Sequence, residues 1–265
     1  MWEWLLPLSG FLIGIAAALT GVGGGIFIVP LLTLLYGFPP WIAIGTSLAA
    51  IILTSIASTV NYTKQKRIYF KIGAILILAT APGGYVGSTL LGIPEVKPWI
   101  GLIFGIFLIM VAIQMIWKAQ SAKNKKDNLS KDPLFEKTLF ENKKKLLLGF
   151  GLSFFGGVVS GLLGVGGGTV LVPIMCYVLD FPIHFSIPTS MYIMIFTSIT
   201  GVYGHLSQGN VNVETAVLLG VGSIFGAQVG AYSLKKFSSR SLSLVFAGML
   251  IVASVNMILK SFKII

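Results

Sequence analysis

One motif occurs twice in this chain, and each time it interrupts the kind of segment that should be least interrupted. Residues 19–32 read LTGVGGGIFIVPLL and residues 162–175 read LLGVGGGTVLVPIM, identical at 8 of 14 positions at an offset of 143 residues. Both copies lie inside long apolar stretches, Leu5–Tyr36 and Leu146–Leu179. A stretch of 32 residues would make a helix of about 48 Å, too long for one crossing of a hydrocarbon core of about 30 Å and too short for two. Each glycine in its middle weakens a helix by about 1 kcal/mol. A segment that enters, turns at the glycines and returns fits the length. Lipid offers no partner for free backbone N–H and C=O groups, so such a break must be buried in protein or line a cavity.

The rest of the chain is built for lipid. It has 265 residues, 55% of them hydrophobic and 10% charged, with a mean hydropathy of +0.91. A soluble domain carries about 25% charged residues. Further apolar segments of spanning length run over Trp41–Tyr62, Ile72–Leu91, Trp99–Trp117, His184–Leu206, Thr215–Leu234 and Leu242–Leu259. The net charge of +11 lies between these segments, in KQKRIYFK (Lys64–Lys71) and in the Lys-rich stretch 118–145. Both therefore read as cytoplasmic loops against anionic lipid rather than a nucleic-acid surface. Leu134, Phe135, Leu139 and Phe140 recur at helical spacing within the second. Cys176 is alone, so no intrachain disulfide is expected. The N-terminus, MWEWLLPLSG, lacks the features of a signal peptide and reads as part of the mature chain.

The same offset of 143 pairs Phe38-Pro39 with Phe181-Pro182, Thr46-Ser47 with Thr189-Ser190, Thr54-Ser55 with Thr197-Ser198, and Gly83 and Gly87 with Gly226 and Gly230. The expected organisation is a first membrane repeat over 1–117, a basic linker over 118–145 and a second membrane repeat over 146–265. Lys64, Lys66, Arg67 and Lys71 have no basic counterpart in 207–214, whereas Lys235, Lys236 and Arg240 answer a loop whose one cation is Lys97. If basic loops stay inside, equivalent loops face opposite sides. The expected fold is therefore an all-α polytopic membrane protein of two inverted repeats, about four helical elements each, with the first element of each half broken at GVGGG.

A helix break exposes amides with a partial positive charge, and two such breaks near the midplane suit a small anion. The candidate substrate-binding residues are Gly21, Gly23, Gly24 and Gly25 with their mates Gly164, Gly166, Gly167 and Gly168, the hydroxyls of Thr46, Ser47, Thr189 and Ser190, and the mates Tyr85 and Gln228. The competing readings are close helix packing for the glycines, as at Gly10 and Gly14, and interhelical hydrogen bonding for the hydroxyls. All eight acids fall in loops or near segment ends, which disfavours a carboxylate cation site or proton relay. His184 and His205 lie near segment ends and read as interfacial, either being able to carry a proton. Cys176 reads as a packing thiol and Trp2, Trp4, Trp41, Trp99 and Trp117 as interfacial anchors. No metal site, cofactor motif or catalytic constellation is expected, and the chain reads as no enzyme.

The doubled GVGGG…VP elements, the equal halves and the basic central linker resemble the sulfite exporter TauE/SafE family over nearly the whole chain, from about Leu5 to Leu259. The resemblance implies outward transport of small sulfur-containing anions such as sulfite or organosulfonates, with the anion at the glycines of the motif. The expectation is a secondary transporter of the cell membrane working by alternating access, with the linker 118–145 cytoplasmic. An anion channel and a non-transporting membrane scaffold are the alternatives. A coupling proton or sodium ion and a homo-oligomer are both compatible with the sequence.

Overall fold

The structure, a computed structural model, describes residues 3–121, 139–233, 248, 251–252 and 254–259. Leu134 and Phe135 of the linker, the basic residues Lys235, Lys236 and Arg240 and much of the last apolar segment lie outside the described residues. What is described is helical throughout: α1 (Leu6–Thr20), α2 (Gly25–Pro30), a π-helical turn (Leu31–Leu35), α3 (Pro40–Lys64), α4 (Phe70–Leu90), α5 (Ile100–Ser121), α6 (Lys143–Leu163), α7 (Gly168–Tyr177), α8 (Ile183–Leu206) and α9 (Val213–Ser233). Residues 254–259 are helical as well. Six described helices are long and apolar enough to cross a membrane: α3, α4, the stretch Lys97–Gln114, α6, α8 and α9. Their outer faces carry Ile56, Val60, Leu78, Phe155, Phe196 and Phe225, all exposed. That much apolar surface is stable only against lipid.

The glycine motifs break the chain where expected, at Gly21–Gly24 and Gly164–Gly167. Gly21 ends α1 at φ 74° and its amide donates to Ala17 O at 2.9 Å; Gly164 ends α6 at φ 70° and donates to Ser160 O at 2.8 Å. These are left-handed C-caps, a conformation that glycine adopts without steric cost. The returning arms are short. With 1.5 Å per residue, α2 with its π turn covers about 16 Å and α7 about 15 Å, half a hydrocarbon core. Pro30 lacks an N–H, and the π turn follows it directly; Thr33 Oγ1 donates to Val29 O at 2.8 Å there. Pro173 occupies the matching place in α7, which stays α-helical to Tyr177.

The halves of the chain pack by exchange. Helix α1 lies along α9, and α6 lies along α4. Both contacts are backbone to backbone, with small residues at the crossings. A Cβ on Gly14 would collide with Ser223 O and one on Gly157, its mate, with Thr80 O, the mate of Ser223. Gly226 faces Phe11 O as Gly83 faces Phe154 O. Small-residue contacts of this kind let helices approach where lipid removes the usual hydrophobic drive. The loops repeat the same conformations even where the residue type differs. Gly37 (φ 69°) is matched by Asp180 (φ 55°), and Gly209 (φ 68°) by Lys66 (φ 57°). Asp tolerates left-handed backbone, whereas Lys pays roughly 1–2 kcal/mol for it, so packing imposes the turn at Lys66 on a residue that does not favour it.

Candidate functional site

The two glycine turns meet each other. A Cβ on Gly25 would run into Gly164 O, and one on Gly168 would run into Gly21 O. Each turn thus begins its returning arm against the end of the other half's entering arm. Gly23 and Gly166 share a lid: a Cβ on Gly23 would lie 2.9 Å from Met194 Sδ and 3.3 Å from Ile51 Cγ2, and one on Gly166 3.0 Å from Ile51 Cγ2 and 3.2 Å from Met194 Sδ. Ile51 and Met194 are themselves repeat mates. The φ angles of the mates agree closely, 74°, 82° and 92° at Gly21, Gly23 and Gly24 against 70°, 75° and 86° at Gly164, Gly166 and Gly167. Residues 21–26 and 164–169 are all buried.

A broken helix leaves carbonyls that no amide of its own can reach. Here side chains of neighbouring helices answer them. Tyr62 Oη donates to Ala18 O at 2.6 Å. His205, the mate of Tyr62, places Nε2 2.8 Å from Gly161 O, the mate of Ala18; since a carbonyl only accepts, that nitrogen carries the proton. Ser47 Oγ donates to Gly164 O, and Ser190 Oγ donates to Gly21 O at 3.1 Å. The serines cross between halves, each clasping the other half's turn.

The threonines beside them hold loops instead. Asn212 N donates to Thr46 Oγ1 at 3.0 Å, and Tyr69 N donates to Thr189 Oγ1 at 3.2 Å. Thr54 Oγ1 donates to Ser223 Oγ at 2.7 Å, and its mate Thr197 to Thr80 Oγ1 at 2.9 Å, which is the interhelical reading of those hydroxyls. Tyr85 is not brought to the turns: it is 45% exposed, with its ring 6.1 Å from that of Tyr203. Gln228 joins α9 to α3, accepting from Asn61 Nδ2 and donating to Ala57 O at 3.4 Å. Cys176 Sγ donates to Ser186 Oγ at 3.2 Å. Trp4, Trp99 and Trp117 are each at least 60% exposed, as interfacial anchors should be.

The amides at the heart of the turns have no such partners. Those of Val22, Gly23 and Gly24, and of Val165, Gly166 and Gly167, make no hydrogen bond to any described residue. Nor do the buried hydroxyls of Ser160 and Thr169, which flank the second turn, or of Ser55 and its mate Ser198. Buried donors are normally paired. The centre therefore holds a set of buried, unpaired donors from which an anion can accept, beside the unpaired carbonyls of Val22, Gly23, Val165 and Gly166 and the unpaired Nδ1 of His205. Ser160 and Thr169 were not among the candidates read from the sequence, because their repeat mates, Ala17 and Ile26, carry no hydroxyl. A surface cavity of about 480 Å³ at Glu141, Asn142, Lys143 and Lys144 is a helix length away from the turn, about 30 Å by the rise of α6.

Comparison with known proteins gives one consistent result. The family model described as "Sulfite exporter TauE/SafE" matches residues 6–257. The chain is 32% identical to "Probable membrane transporter protein YunE" of Bacillus subtilis (strain 168), over 96% of this chain and 96% of that protein. It is 29% identical to "Probable membrane transporter protein MJ0441" of Methanocaldococcus jannaschii, over 96% and 95%. It is 30% identical to "Probable membrane transporter protein YdhB" of Bacillus subtilis, over 86% and 88%. No solved structure matches.

Proposed function

As a member of the sulfite exporter TauE/SafE family and a multi-pass membrane transporter, the chain carries a solute, and we propose that the solute is a small sulfur-containing oxyanion, sulfite or an organosulfonate, carried outward across the cell membrane. The supporting observation is a cluster of buried donors at the two glycine turns: the amides of Val22–Gly24 and Val165–Gly167 have no partner among the described residues, and the hydroxyls of Ser160 and Thr169 beside them are unpaired as well. An oxyanion accepts several hydrogen bonds at once and suits such a donor-rich centre.

In this reading the two repeats are inverted and the linker 118–145 is cytoplasmic. Gly21, Gly23, Gly24, Gly25, Gly164, Gly166, Gly167 and Gly168 bring backbone donors to the anion, with Ser160 and Thr169 beside them. Ser47 and Ser190 shape the turns, Thr46 and Thr189 fix the loops behind them, and Ile51 and Met194 shut the centre. Rocking one half against the other would open the centre to one face at a time. The tight abutment of the turns favours such a cycle over an open channel. Cysteines introduced at positions 64 and 236 in a Cys176→Ser background should label from the same side if the repeats are inverted.

Flux of labelled sulfite in proteoliposomes tests the function. The wild type should show saturable flux with counterflow, and Gly167→Leu should abolish it, since a side chain there meets Ser160 and adopts φ 86°. Undiminished flux in a folded Gly167→Leu protein, or wild-type flux that never saturates, would refute the reading.

A further inference from the structure

The basic run KQKR at the end of α3 does not behave as one surface. Lys64, Lys66 and the following Lys71 are exposed, but Arg67 is only 4% exposed and its Nη1 is buried without a hydrogen-bond partner. The turn of Lys66 into left-handed backbone (φ 57°) directs the next residue inward, and Arg67 N closes the turn on Tyr62 O at 3.1 Å. Among the described residues Arg67 is the one Lys, Arg, Asp or Glu that is buried, and the one ion pair there joins Lys145 and Asp180. A buried charge without a counter-charge is costly, and a guanidinium in that position presents a planar fork of donors that matches an oxyanion.

A second observation connects this group to the glycine turns. Ser47, Ile51, Ser55, Ser58 and Tyr62 follow one another at spacings of four, four, three and four, one face of α3. That face is placed by contacts already given: Ser47 on the Gly164 carbonyl, Ile51 over Gly23 and Gly166, Tyr62 on the Ala18 carbonyl. Between Ile51 and Tyr62 lie Ser55 and Ser58, both fully buried, with hydroxyls that have no partner. The face thus leads from the turns past two unpaired hydroxyls to the backbone turn that carries Arg67. The other half has no such track. The mates of Ser58 and Arg67 are Gly201 and Asn210, and Asn210 Nδ2 is spent on Gln208 Oε1 at 2.9 Å.

We propose that Arg67 is the cationic end of a one-sided oxyanion site, holding the anion at the basic mouth of the protein before it passes along Ser58 and Ser55 to the glycine turns. This rests on the anion-transport reading. The occupant is a small oxyanion with at least two free oxygens; a phospholipid phosphate shares that chemistry, and the test separates the two.

Purified full-length wild type, Arg67→Gln and Arg67→Lys are compared by thermal shift and calorimetry in nanodiscs of phosphatidylcholine titrated with sodium sulfite, and in detergent titrated with phosphatidylglycerol. Wild type should bind sulfite saturably, with Arg67→Gln weakened at least tenfold while its elution profile stays unchanged and its unliganded melting does not fall. Stabilisation by phosphatidylglycerol alone, lost in Arg67→Gln, keeps the site and makes lipid its occupant. Should Arg67→Gln fail to fold, Arg67→Lys, which keeps the charge but not the fork, decides by the same tenfold criterion. Equal binding by the variant and wild type of both probes, or no binding of either by wild type, overturns the site. Sulfite flux separates the two proposals: Arg67-dependent binding without wild-type flux refutes sulfite transport and keeps the site, whereas normal flux in Arg67→Gln refutes the site and keeps transport.

Discussion

At the scale of single residues, the paired serines show how a break in a membrane helix is made tolerable. Removing one hydroxyl leaves a buried carbonyl without its partner. Ser47→Ala and Ser190→Ala should each destabilise the protein by about 1 kcal/mol, seen in detergent as a melting shift of about 2–4 °C. Because the two turns abut, the double variant should depart from the sum of the single effects. Thermal melting followed by tryptophan fluorescence checks this, and unchanged melting of both single variants would show that the serines do not hold the turns. From the sequence these serines read equally as ligand donors and as interhelical hydrogen bonders. Their partners are 117 and 169 residues away, and nothing local distinguishes a hydroxyl that clasps a carbonyl from one that waits for an anion. Arg67 was illegible for a related reason. In KQKR every residue reads as solvated charge, and only the left-handed turn at Lys66 turns one of them inward.

At the scale of elements, the glycine positions divide into those with space and those without. Gly151, on α6, has nothing within 4 Å of a built Cβ, whereas Gly25 and Gly168 face backbone oxygens of the opposite turn. Gly151→Ala should leave the protein intact or raise its stability by up to about 1 kcal/mol, the helix-propensity gain. Gly25→Ala and Gly168→Ala should sharply lower the yield of monodisperse protein, since backbone cannot step aside as a side chain can. Size-exclusion profiles and melting of the three variants decide it, and a well-behaved Gly25→Ala would mean that the turns do not abut. The existence of the break was readable from composition alone, because GVGGG inside a segment of 32 residues leaves few other outcomes. The lengths of the returning arms were not readable. They depend on where Tyr36 and Val178 leave the helix, and no strong stop residue marks either place before Gly37 and Asp180.

At the scale of the whole molecule, neither half buries its own first helix. Helix α1 lies on α9 and α6 lies on α4, so residues 1–121 or 139–265 alone would leave glycine-lined backbone facing lipid. Each half expressed alone should aggregate or be degraded, and the two expressed together should co-purify as one folded unit. Affinity purification through a tag on one half measures this, and a monodisperse single half would contradict the exchange. The duplication was legible because one offset aligned so many polar and glycine positions. The exchange was not, since periodicity identifies buried faces but not which helix covers them.

The reciprocal clasps also bear on descent. A half-length ancestor carrying one GVGGG turn, one clasping serine and one crossing glycine pair would already have held everything its twin needed, so two separate copies could have assembled a working centre before any fusion joined them. Joining would leave the copies free to diverge, and the pairs Arg67 with Asn210 and Tyr62 with His205 are two of the places where they differ.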